Sequence, residues 1–160
     1  MQGFAKALSL VTAFALTSCS GDSVIYLFDG YVPSLERNIT VTDLLFFESS
    51  YEHIVSGNED YSTTFDGSDT RFINWEVRME HPPMDQDQEF RIQSSYLNKN
   101  GTPVGMTRHT GMIESHWDYS YHGTGYGDEH RRFWRYYSGR FTVEIFIDDT
   151  HIGTGSFRVR

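Results

Sequence analysis

Cysteine is almost missing from this chain: Cys19 is the only one in 160 residues. No intrachain disulfide is open to it, so the fold must rest on its core. Basic charge is scarce as well. Thirteen Lys and Arg stand against 22 Asp and Glu, a formal net charge of −9. Without a basic stripe to release phosphate counterions, nucleic acid is not an expected partner. The short basic clusters at 130–135 and at the C-terminal "FRVR" read as solvated faces. Long apolar runs are lacking too: Ala7–Leu16 is only ten residues, too short for a helix across about 30 Å of hydrocarbon. No helical period of useful length, internal repeat or low-complexity segment occurs, which leaves one domain. What is abundant is aromatic side chains (16%) and glycine (14 residues), a combination that favours strands joined by tight turns.

The opening "MQGFAKALSLVTAFALTSCSGD" has the layout of an export signal. Lys6 supplies a positive start and Ala7–Leu16 an uncharged apolar stretch, so residues 1–18 are expected to be a cleaved signal peptide. Leu16-Thr17-Ser18-Cys19 resembles a bacterial lipobox. There the small side chains admit the peptidase, and the cysteine thiol receives a diacylglyceryl group. Lipidation of Cys19 would anchor the chain to a bilayer, since acyl chains contribute roughly 0.8 kcal/mol per buried methylene. Cleavage would remove Lys6 and no acid, leaving 12 basic against 22 acidic side chains. Ser20 after the cysteine resembles outer-membrane sorting. The expected location is therefore the bacterial cell envelope, with the domain in the periplasm or outside.

Residues 19–38 read as a lipidated cysteine and tether, within which "VIYLF" (24–28) is either an edge strand or a segment lying on the domain. From residue 39 to 160 the strand grammar is regular. In 71–80, "RFINWEVRME", Ile73, Trp75, Val77 and Met79 share one face, and Asn74, Glu76, Arg78 and Glu80 the other. Pro82-Pro83 ends that strand. Phe90, Ile92, Ser94 and Tyr96 point one way in the next, and "NKNG" (98–101) turns it back into 103–109. Phe141, Val143, Ile145 and Ile147 form the clearest inward row, with Phe157 and Val159 in its hairpin partner. Six to eight such strands predict an all-β fold, a single antiparallel Ig-like, Greek-key β-sandwich.

These residues carry a resemblance. Thr70–Glu76 with His81-Pro82, Asn100-Gly101, Trp117, the glycines 123, 125 and 127, Trp134, and the segments 139–148 and 152–159 are similar to a bacterial β-sandwich domain. That domain sits at the C-terminus of caspase-like and repeat-containing proteins. The likeness spans roughly 40–160, departing at Asp149, where a turn glycine is usual, and at Phe141, where tyrosine is. It implies architecture and an accessory, interacting role, with no enzymatic activity.

The stretch 116–134, "HWDYSYHGTGYGDEHRRFW", is the chemically densest. His116, His122 and His130 lack the close spacing of zinc ligands, and "DQDQE" (85–89) lacks the glycine turn of a calcium loop. No metal or cofactor is expected. Ser120 and Ser138 lie outside any nucleophile motif, no carboxylate pair stands out, and the chain is not expected to be an enzyme. The stretch reads as a structural loop in which Trp117 and Trp134 plug the core. Tyr119, Tyr121, His122 and Tyr126 are then free to line a binding surface for an envelope protein or a glycan. Aromatic stacking by a carbohydrate- or peptidoglycan-binding module is the alternative.

Overall fold

The structure, a computed structural model, describes residues 27–28, 39–52, 57 and 59–160. Cys19, the signal peptide and all of the tether except Leu27–Phe28 lie outside the described residues. Among those described, no helix is long and apolar enough to cross a membrane.

Nine strands are described: β1 (Leu27–Phe28), β2 (Thr40–Ser49), β3 (Thr64–Phe65), β4 (Phe72–Glu80), β5 (Gln88–Asn98), β6 (Pro103–Ile113), β7 (Tyr119–Gly127), β8 (Gly139–Ile147) and β9 (Thr150–Val159). They form two sheets. The larger runs β1-β9-β8-β5-β6, with β3 also on β9, and the smaller runs β2-β4-β7. With β2, β4, β5, β6, β7, β8 and β9 taken as A, B, C, C′, E, F and G, the sheets are ABE and GFCC′. This is an immunoglobulin-like sandwich in which the fourth strand pairs with C and not with E. Leu27–Phe28 pairs antiparallel with Thr154 and Gly153, so these two residues add an edge strand inside the stretch read as tether.

The expected inward rows form the core. Ile73, Trp75, Val77 and Met79 of β4 face Phe90, Ile92 and Tyr96 of β5 and Phe141, Val143, Ile145 and Ile147 of β8, all buried. Packing is closed at one end by Trp134, on a single 3-10 turn (Phe133–Tyr136). Its ring lies 5.3 Å from Phe141 and 5.5 Å from Phe157, edge to face. The indole N–H donates to the Tyr126 carbonyl at 3.0 Å. Tyr96, also fully buried, donates its hydroxyl to the Ile73 carbonyl at 2.9 Å, which ties the two sheets through a satisfied polar group.

The turns explain the departure noted at Asp149. Asn98 caps the β5–β6 hairpin with its side chain, and Gly101 takes a φ of +77°. In the β8–β9 hairpin, Asp148 and Asp149 both adopt positive φ (44° and 68°), the geometry of a two-residue type I′ turn. Aspartate tolerates that region better than most residues, so the usual glycine is dispensable here.

Two sequence readings are corrected. Tyr119–Gly127 is a strand, the edge of the small sheet, and not part of a loop. It passes close to its neighbour because it is glycine-rich. A Cβ on Gly125 would fall 1.6 Å from Asn74 Oδ1, and one on Gly127 would fall 2.1 Å from the Arg71 carbonyl. Trp117 does not plug the core either: it is 37% exposed, in the turn before β7.

Candidate interaction surface

Because β7 is a strand, its side chains alternate. Tyr119 and Tyr121 point outward, whereas His122 and Tyr126 point into the sandwich. The four residues expected to share a surface are therefore split between two faces. Tyr126 packs against Tyr96 and Phe133, and its ring lies over Gly105 of β6. His122 is buried, edge-on to Phe90 at 4.9 Å, and desolvation holds it well below the usual imidazole range, at about 4. Burial also lowers His81 and His109. The three histidines of 116–130 do not converge: His116 and His130 are exposed and His122 is internal. Among the described residues, no group of three or more His, Cys, Asp or Glu is placed to hold a metal ion. Asp87 of the "DQDQE" run instead accepts the Ser115 backbone N–H at 2.8 Å.

What surrounds Tyr119 and Tyr121 is the outer face of the small sheet. Register places Arg78 beside Tyr121 and Glu80 beside Tyr119, with Asp43 across from Arg78 on β2. The sequence alternation put Glu76 on the face opposite the apolar row, yet it is fully buried. Its carboxylate accepts the Tyr61 hydroxyl at 2.6 Å and Arg78 Nε at 2.7 Å. Burial, and then the Glu76 hydrogen bond, push the Tyr61 hydroxyl well above its ordinary range, and the same carboxylate raises Arg78. Arg78 is held between two ring faces, 5.2 Å from the Tyr61 centroid and 5.5 Å from that of Tyr121. Gly57 covers Tyr121 from above, where a Cβ would lie 3.1 Å from the ring. Gly57 and Tyr61, before β3, therefore lie over this face, where Glu76 is buried.

Toward the other end the face opens. Tyr119 is 57% exposed and meets Tyr121 edge to face at 5.6 Å. A shallow groove of about 460 Å³ runs beside it, lined by Thr40, Glu80, His81, Pro82, Asp118 and Tyr119. Chemically, the patch offers flat ring faces, a partly exposed guanidinium fixed in place and carboxylates at the rim. Tyrosine, tryptophan and arginine are the side chains enriched at protein contact surfaces. Sequence reasoning missed Glu76, Arg78 and Tyr61. The i, i+2 spacing of Glu76 and Arg78 was a readable sign of their shared face, but Tyr61, far away in sequence, gave none.

No protein-family profile matches the chain, and no curated protein does. The solved structures to which the chain is similar include two. One is an immunoglobulin-like protein from Pseudomonas aeruginosa, at 11% identity and TM-score 0.45, covering 81% of this chain and all of that one. The other is the alkylpurine DNA glycosylase AlkC of Pseudomonas fluorescens bound to DNA containing an abasic site analog. It is 11% identical with TM-score 0.47, and the match covers 79% of this chain and 31% of the glycosylase. The immunoglobulin-like assignment rests on the strand order itself.

Proposed function

We propose that the chain is a bacterial envelope lipoprotein, held to a membrane through acylated Cys19, whose sandwich binds a protein partner and performs no catalysis. Support for the anchor comes from the Lys6, Ala7–Leu16 and Leu16-Thr17-Ser18-Cys19 layout. The likeness of 70–81 and 139–159 to the accessory sandwich domain supports the interacting role. The observation that carries the binding half is the outward pair Tyr119 and Tyr121 beside the fixed Arg78 guanidinium. Rigid aromatic rings next to an arginine supply contact area at low entropic cost.

The anchor is tested by feeding cells labelled palmitate with and without globomycin. Label on the wild type, absent from Cys19→Ala, and accumulation of the unprocessed form under globomycin are expected. An unlabelled chain that keeps residues 1–18 would overturn the proposal.

A further inference from the structure

Strands β6 and β7 end the large and the small sheet. Each has one ladder among the described residues, β6 with β5 and β7 with β4, and none joins the two. The inner face of a sandwich is ordinarily apolar, yet the seam between these strands is polar. The inward row of β7 is Ser120, His122 and Thr124, and that of β6 includes Thr107 and His109. Two of the hydroxyls are satisfied, Thr107 by Ser94 at 2.7 Å and Thr124 by the Glu52 carboxylate. The imidazoles are not. His122 Nε2 and His109 Nδ1 are buried with no hydrogen-bond partner among the described residues, and so is Trp75 Nε1. The Trp75 ring lies 5.9 Å from that of His109. A cavity of about 370 Å³ enters here, with His109 and Gly111 on the β6 side and His122 and Gly123 on the β7 side.

A neutral imidazole tolerates such a place. An imidazolium carries a charge and two N–H donors that must be hydrated or paired. The seam offers little pairing. His122 is faced by His109 from β6 and by His81 from the end of β4, and both raise the cost of its proton. Phe90 of β5 and Val77 of β4, its other neighbours, carry no charge. Glu52 faces His109 and Asp118 faces His81, each favouring the charged form, but Glu52 is already committed to Thr124. Water relieves the charge most directly, and the two strands can part to admit it without breaking a ladder.

We propose that the β6–β7 seam is an acid-operated opening. Protonation of His109 and His122 draws water between these strands and swings them apart, while both sheets keep their ladders and the β2–β9 side stays closed. His122 takes up its proton at about 4 in the closed sandwich and at about 6.5 once it is in water. The open form therefore gains on the closed one as pH falls through that interval.

The test uses the full chain in a Cys19→Ser background, spin-labelled at pairs of introduced cysteines. M112C/Y119C spans the seam between exposed positions, and T40C/R158C spans the opposite side from β2 to β9. Distances are read by electron paramagnetic resonance from about pH 7.5 to about 4. The seam distance should lengthen on acidification and return on neutralisation, with the T40C/R158C distance and the circular dichroism unchanged. His109→Gln alone and His122→Leu alone should each move the change to lower pH, and H109Q/H122Q should remove it. A constant seam distance, lengthening of both pairs together, or an unshifted response in the single variants overturns the proposal.

Discussion

The two sheets of the sandwich obey the same inner-face rule and opposite outer-face rules. In the large sheet, β5 alternates as its sequence says, with Glu89 and Arg91 exposed on either side of buried Phe90. Its ion pair, Arg91 with Asp149 at 2.7 Å, is solvated on both sides. In the small sheet, β4 has the same alternation in sequence, but Asn74 and Glu76 are as buried as Ile73 and Trp75. Alternation thus tells which residues point which way, and an outside face becomes interior when another segment of the chain covers it. The ion pair Arg78–Glu76, also 2.7 Å, has its carboxylate fully buried. Two pairs of equal length therefore differ in everything that sets their energy.

The largest expected effect lies on the inner face common to both sheets. Trp75→Ala should cost about 3–5 kcal/mol in chemical denaturation, as for other large-to-small core changes. A near-neutral result would mean that the small sheet does not pack on the large one through this ring. Next comes the pair that separates the outer faces. Glu76→Gln leaves Tyr61 and the half-covered Arg78 without their carboxylate and should cost about 2–4 kcal/mol. Asp149→Asn should cost under about 1 kcal/mol. Equal losses in urea titrations would erase the distinction drawn between the sheets.

A third effect arises between the sheets. His122 binds a proton less readily folded, at about 4, than unfolded, at about 6.5. Over that window the unfolded chain holds more protons, so stability rises with pH and falls on acidification from about 6.5 to 4. The loss reaches about 3 kcal/mol, and a His122→Leu variant should show a flatter profile in thermal melts followed across that range. A parallel profile would place the imidazole in water. The smallest effect belongs to the exposed patch: Tyr119→Ala should change stability by no more than about 0.5 kcal/mol, which makes it a clean probe of binding.

Much of this arrangement was legible in the sequence. The inward rows of β4, β5, β8 and β9, the Asn98–Gly101 hairpin and the core role of Trp134 all followed from period-two spacing and turn chemistry. β7 did not, because Gly123, Gly125 and Gly127 carry no strand signal, and the reason for the last two is Asn74 and Arg71 on a neighbour some fifty residues earlier. That error propagated to the candidate site. A loop lets four side chains share a surface, whereas a strand sends Tyr119 and Tyr121 out and His122 and Tyr126 in. The cover over Glu76 was unreadable for the same reason, since it depends on where the residues around Tyr61 come to rest.

The binding claim is tested most directly by position-specific photocross-linking in intact cells. A photoreactive residue is placed at Tyr119 or Tyr121 on the small sheet and, for comparison, at Glu144 on the large one. A discrete protein adduct from positions 119 and 121, lost when Arg78 is replaced by alanine and absent from position 144, is the expected result. Adducts of equal yield from both faces, or none from the tyrosines, would contradict it.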